Sequence, residues 1–137
     1  MARLSALALD LELCTSGSWH RYLDDAEVRI ASFESPRYLE VLRRVQREKP
    51  EVAKEIEEAG NDGLKLRWAL REVLAEAILV GWRKFENDDG SPIEYSIEES
   101  KKILSNPEHG PLLSFVFAKA GEIASFRRGA RTAAAGN

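Results

Sequence analysis

Between Asp62 and Phe85 the run DGLKLRWALREVLAEAILVGWRKF carries apolar side chains on almost every side of a helical wheel. Leu66, Leu70, Val73, Ala77 and Ile78 recur at the three- and four-residue steps of one helix face. Trp68, Leu79, Val80 and Trp82 widen that face well beyond a narrow stripe. A helix that is apolar on several sides has to be enclosed. The run therefore predicts a central helix, contacted on several sides, around which the remaining elements are arranged. A chain of 137 residues can supply that enclosure, since a domain of this size buries about two-thirds of its unfolded surface without a metal or disulfide.

The flanking segments read as shorter amphipathic helices. Ser35 is an expected N-cap, and Pro36 suits the first helical turn. Tyr38, Val41, Leu42 and Val45 form the apolar stripe of that helix. Pro50 closes it and opens a short acidic helix with Val52, Ile56 and Ala59 facing inward and Gly60 as C-cap. Ser96 begins a Ser-x-x-Glu capping box with Glu99, and that helix ends near Ser105-Asn106-Pro107. A last helix starts around Pro111, shows Leu112, Leu113, Val116, Ala120 and Ile123 on one face, and ends at Gly129.

Ahead of these helices the period changes to two. Leu7, Leu9, Leu11 and Leu13 alternate with Ala8, Asp10 and Glu12; Trp19, Arg21 and Leu23 alternate with His20 and Tyr22; Val28 and Ile30 follow the LDDA turn. The expected fold is α+β and mostly α-helical: a short N-terminal antiparallel β-hairpin or sheet over 1–33, then about five helices over 35–128. Residues 1–128 are expected to form a single globular domain, and 129–137 a flexible C-terminal tail. The N-terminal leucines suggest a signal peptide, but Asp10 and Glu12 interrupt the apolar run. The expected location is the cytoplasm, with no membrane span.

Chemical sites are sparse. Cys14 is the lone cysteine, which excludes an internal disulfide and any multi-cysteine metal site. His20 and His109 lack ligand spacing, and no nucleophile elbow or glycine-rich phosphate loop occurs. Asp88, Asp89 and Gly90 resemble part of a calcium loop, but alignment on the glycine puts Phe85 and Ser96 where acidic ligands belong. The ENDDG stretch is therefore read as a turn, which Trp82 and Tyr95 pin to the domain. Adjacent acids such as Asp24–Asp25, Glu57–Glu58 and Glu98–Glu99 lie in polar runs and read as surface charge. The expectation is a protein that is not an enzyme and uses no cofactor or metal. A net charge of -3 disfavours nucleic acid as a partner, although Arg43, Arg44 and Arg47, or Arg127, Arg128 and Arg131, leave a basic-patch reading open.

The aromatics carry more information. Large rings that exceed what a small core hides tend to mark a protein-binding surface. Phe85, Tyr95 and Phe117 are the leading candidates, with Trp82 and Phe126 beside them. An exposed aromatic groove would suit a helical partner segment.

In order along the chain, ALDLEL leading to GSW, then AEVRIASFESPRYLEVL, ILVGWRKFENDDGSPIEYSIEESKKIL and FVFAKAGEIASF resemble the small tail assembly chaperones of long-tailed bacteriophages and prophages. The resemblance spans about residues 7–128, and the last helix ends in Ser125–Phe126 where the family often carries an Asn-Phe pair. It implies a non-catalytic protein that binds and solubilises the tape measure protein. A longer frameshifted product would recruit tail tube subunits, and this chain would be the short form. It also implies self-association, a place in the host bacterial cytoplasm, and absence from the mature virion. The alternatives are a phage head–tail connector or adaptor that stays in the particle, and a small DNA-binding regulator.

Overall fold

The computed structural model describes residues 1–129, so the expected tail lies, beyond Gly129, outside the described residues. The architecture is α+β and mostly helical. Two short helices, α1 (Leu4–Leu7) and α2 (Leu11–Ser16), precede strands β1 (Ser18–Arg21) and β2 (Glu27–Ile30). Helices α3 (Pro36–Glu48), α4 (Pro50–Ala59), α5 (Gly63–Ala69) and the single turn α6 (Arg71–Val73) follow. A π-helical turn, Leu74–Ile78, runs directly into β3 (Leu79–Arg83). Then come α7 (Ile97–Leu104), α8 (Gly110–Ala120) and a 3₁₀ turn, Ile123–Phe126.

Capping behaves as the sequence predicts. The Ser35 hydroxyl accepts from the Arg37 amide with Pro36 in the first turn, and the Ser96 hydroxyl accepts from the Glu99 amide at 3.0 Å. Val41 and Val45 of α3 and Val52 of α4 pack on Val73 and Ala77. The larger core joins Val28 and Ile30 of β2 to Leu74, Ile78, Leu79 and Trp82, and closes with Leu104 of α7 and Leu113 and Val116 of α8.

Three elements differ from the sequence reading. The central run does not stay helical to Phe85: from Leu79 it becomes the third strand of an antiparallel sheet ordered β1-β2-β3. β-branched and aromatic residues suit a strand buried on both faces, and an all-round apolar wheel cannot separate that case from a buried helix. Val28 pairs with Trp82 and Arg29 with Gly81, but Ile30 pairs with Leu79, so Val80 is an extra residue and forms a bulge.

The alternating leucines at 7–13 are not a strand either. Asp10 caps α2 through the Leu13 amide at 3.0 Å, and Leu13 and Cys14 turn inward onto Phe126. Only Leu9 makes a bridge, with Arg127. Helix α8, expected to continue to Gly129, stops at Ala120, and beyond Gly121 the chain folds back to bury Phe126.

The end of the central helix has a local account. In the π turn the Leu79 amide reaches back to the Leu74 carbonyl, leaving the Ala75 carbonyl without its usual helical donor. The buried Ser100 hydroxyl of α7 donates to that carbonyl at 2.7 Å. The same turn carries the buried Glu76, which receives Arg44 of α3 together with Lys101 of α7 at 3.2 Å and Arg37 at 3.7 Å. Hydrogen bonding from Arg44 outweighs burial and holds the Glu76 carboxyl below its ordinary value.

Candidate protein-binding groove

The ENDDG segment is a hairpin loop. The Ile93 amide donates to the Phe85 carbonyl at 2.9 Å and the Asn87 amide to the Ser91 carbonyl at 2.8 Å. Gly90 takes φ +85, and the Asp89 carboxylate accepts from the Ser91 amide and hydroxyl, which lowers its pKa. Trp82 and Tyr95 do pin this hairpin. The Trp82 indole N–H donates to the Ile93 carbonyl at 2.7 Å, and the Tyr95 hydroxyl donates to the Leu79 carbonyl at 2.7 Å. Their rings meet edge to face at 4.9 Å.

Beside the hairpin lies a groove of about 950 Å³. Its apolar residues come from four parts of the chain: Tyr22 and Leu23 at the end of β1, Phe85 and Ile93 of the hairpin, Ile103 of α7, and Leu112 at the start of α8. The β1–β2 turn is held by the Tyr22 amide on the Ala26 carbonyl and the Ala26 amide on the Leu23 carbonyl, both at 2.9 Å. That tight turn places Asp24 at φ +54, a conformation that Asp tolerates, and leaves Leu23 67% exposed. Tyr22 is fixed from below by the Phe115 ring at 4.9 Å. On the far wall Phe85 leans on Trp82 at 5.4 Å. Lys84, just before it, has φ +64, so the two non-glycine residues with left-handed φ among the described residues both line this groove.

Charged groups surround the apolar floor. Asp24, Asp25, Glu86 and Glu108 are carboxylates of the lining, against Lys84 and His109. The Lys84 ammonium lies 3.8 Å from Asp25. The lining combines half-buried rings, one exposed leucine and an acidic edge.

Of the five aromatic candidates, only Phe85 lines the groove. Trp82 and Phe126 are corrected: both are buried, Phe126 completely, so neither presents a ring to a partner. Tyr95 is half-buried, and burial pushes its hydroxyl pKa up. Phe117 sits elsewhere, edge to face with Phe33 at 5.2 Å. The sequence reading missed Tyr22, Leu23, Ile93 and Ile103. An available signal was Leu23 in LDDA, an apolar residue inside an acidic turn.

Other candidate chemistry is dispersed. Cys14 is fully buried, and desolvation raises its thiol pKa. His20 faces the Ser18 hydroxyl at 2.8 Å, and burial lowers its pKa. Among the described residues no group of three or more His, Cys, Asp or Glu could hold a metal ion, and no helix is long and apolar enough to cross a membrane. In the basic run of α3, Arg44 is engaged by Glu76, while Arg43 and Arg47 face solvent. Arg127 and Arg128 are exposed, and Arg131 lies outside the described residues.

No curated protein and no solved structure matches the chain. The family described as YdaY prophage protein matches residues 33–137, well over half of its length and including most of the groove. The chain belongs to the YdaY prophage protein family.

Proposed function

We propose that this prophage protein is a non-catalytic tail assembly chaperone that binds the tape measure protein and keeps it soluble while the tail is built. The observation that carries the reading is the groove between the β1–β2 turn and the 85–93 hairpin, with its exposed Leu23 and half-buried Phe85. A long helical partner exposes repeated apolar side chains, and a groove of this kind covers such a stripe one segment at a time. Dispersed titratable groups support a binding role over catalysis, which calls for convergent side chains around a reacting atom.

The same reading has several copies coating one tape measure protein in the host bacterial cytoplasm and leaving before the virion is complete. A longer frameshifted product brings in tail tube subunits. Self-association belongs to it as well, and the exposed Leu4, Leu7 and Leu11 of α1 and α2 supply apolar surface for that contact.

Co-expression with the long helical protein encoded next downstream, followed by affinity purification and size measurement, tests the proposal. The partner becomes soluble only with this chain and retains several copies of it, and Phe85→Ala abolishes the effect. Equal solubility of the partner alone, with no copies retained, refutes it. Recovery of the chain from purified virions also refutes it, and favours a head–tail connector.

A further inference from the structure

The groove also limits what kind of segment it can hold. Two amides of its walls are already taken: the Tyr22 amide is bonded to Ala26 and the Ile93 amide to Phe85. A docking segment gains no backbone hydrogen bond from those two amides, which favours one that satisfies its own, as a helix does, and meets the groove through side chains. The floor of Tyr22, Leu23, Phe85, Ile93 and Ile103 calls for an apolar stripe on that helix.

The rim adds a sign. Four carboxylates, Asp24, Asp25, Glu86 and Glu108, face Lys84 and His109 across the lining, and Lys84 is already drawn to Asp25. Asp88 and Asp89, exposed on the tip of the same hairpin, extend the negative field. We infer that the groove of this prophage protein receives a positively charged amphipathic helix of its partner, with lysines or arginines flanking the apolar stripe. This rests on the protein-binding reading above and specifies the partner segment. An acidic or neutral helix with the same stripe would meet like charge or none along the rim, and loses the attraction that orients the docking helix.

The probe is a labelled helical peptide of about 18 residues, leucine at the i, i+3, i+4 and i+7 positions and lysine elsewhere, compared with its glutamate counterpart. Fluorescence anisotropy on the full chain is expected to give at least about tenfold tighter binding of the lysine peptide in low salt. The ratio falls to about threefold or less in high salt, where exposed charges are screened. The combined variant D24N/D25N/E86Q/E108Q removes the preference, and Phe85→Ala removes binding of both peptides. Glu57→Gln/Glu58→Gln, exposed on α4, leaves both unchanged. Circular dichroism and thermal unfolding check that each variant is folded.

Equal binding of the glutamate peptide, or a preference that survives in the combined rim variant, overturns the inference. So does lysine-peptide binding that persists in Phe85→Ala, since charge alone would then explain it. The chaperone reading fails separately, in co-expression. A tape measure protein kept soluble by the rim variant as well as by the wild type refutes the cationic helix and leaves the chaperone standing.

Discussion

Replacing Glu76 by Gln probes how the helical half is tied to the π turn. Glu76 is only 7% exposed, yet three cations from α3 and α7 converge on it. Glutamine keeps the shape and removes the charge. A hydrogen bond to a charged group contributes about 1.5–3 kcal/mol, so the contacts with Arg44 and Lys101 set a ceiling of about 3–6 kcal/mol. The Arg44 and Lys101 side chains are 38% and 35% exposed, and water takes over part of their solvation when the carboxylate is lost. Fully exposed pairs contribute only about 0–1 kcal/mol. Between these limits, E76Q is expected to lose about 2–3 kcal/mol at neutral pH.

The pH dependence gives the second half of the test. The folded-state pKa of Glu76 lies below its ordinary value, with the Arg44 hydrogen bond as the largest cause. Stability from a depressed carboxyl is fully present above the unfolded pKa, near 4.5, and is lost as pH falls through the folded one. The difference between wild type and E76Q therefore narrows under acid. Urea unfolding, followed by tryptophan fluorescence from neutral pH to about pH 3, measures both quantities. A difference below about 0.5 kcal/mol at neutral pH, or one that does not shrink on acidification, would refute the reasoning.

Four further substitutions test local claims. Ser100→Ala leaves the buried Ala75 carbonyl without its donor and should cost about 1–3 kcal/mol in the same urea assay; a neutral result would mean that the π turn satisfies itself. Trp82→Phe removes the donation to the Ile93 carbonyl, so hydrogen exchange at the Ile93 amide should speed up about tenfold more than at Val28 in the core; equal changes would show that the indole does not hold the hairpin. Gly17→Ala should lose more than about 2 kcal/mol, because at φ +89 a Cβ would sit 2.9 Å from Val80 Cγ2 and 3.0 Å from the Ile30 backbone. Gly63→Ala meets nothing within 4 Å and should be stabilising by up to about 1 kcal/mol.

Where local chemistry decides an element, the sequence was readable. Ser35-Pro36, Pro50, Gly60 and Ser96 mark helix ends because capping and φ restriction act within a few residues, and α3, α4 and α7 follow from them. ENDDG reads as a turn for the same reason. Where a distant partner decides, it was not. Leu7–Leu13 has the period of a strand, but Asp10 caps α2, and Leu13 and Cys14 turn inward onto Phe126, more than a hundred residues away. At 79–83 the helix and strand readings bury the same apolar residues, and only pairing with β2 selects the strand.

That selection also decides which aromatic reaches a partner. On a helix Trp82 and Phe85 would lie three residues apart on one face and be equivalent candidates. On β3 the pleat turns Trp82 inward beside Val28 and Arg83 outward to pair with Glu27. Continued alternation would then turn Lys84 in and Phe85 out. The left-handed φ at Lys84 breaks the alternation, brings Phe85 back against Trp82 and leaves it half-buried along the groove. The hairpin that follows closes from this position, where the Phe85 carbonyl accepts the Ile93 amide. The groove therefore depends on a strained backbone residue between two rings, a feature that no apolar period in the sequence encodes.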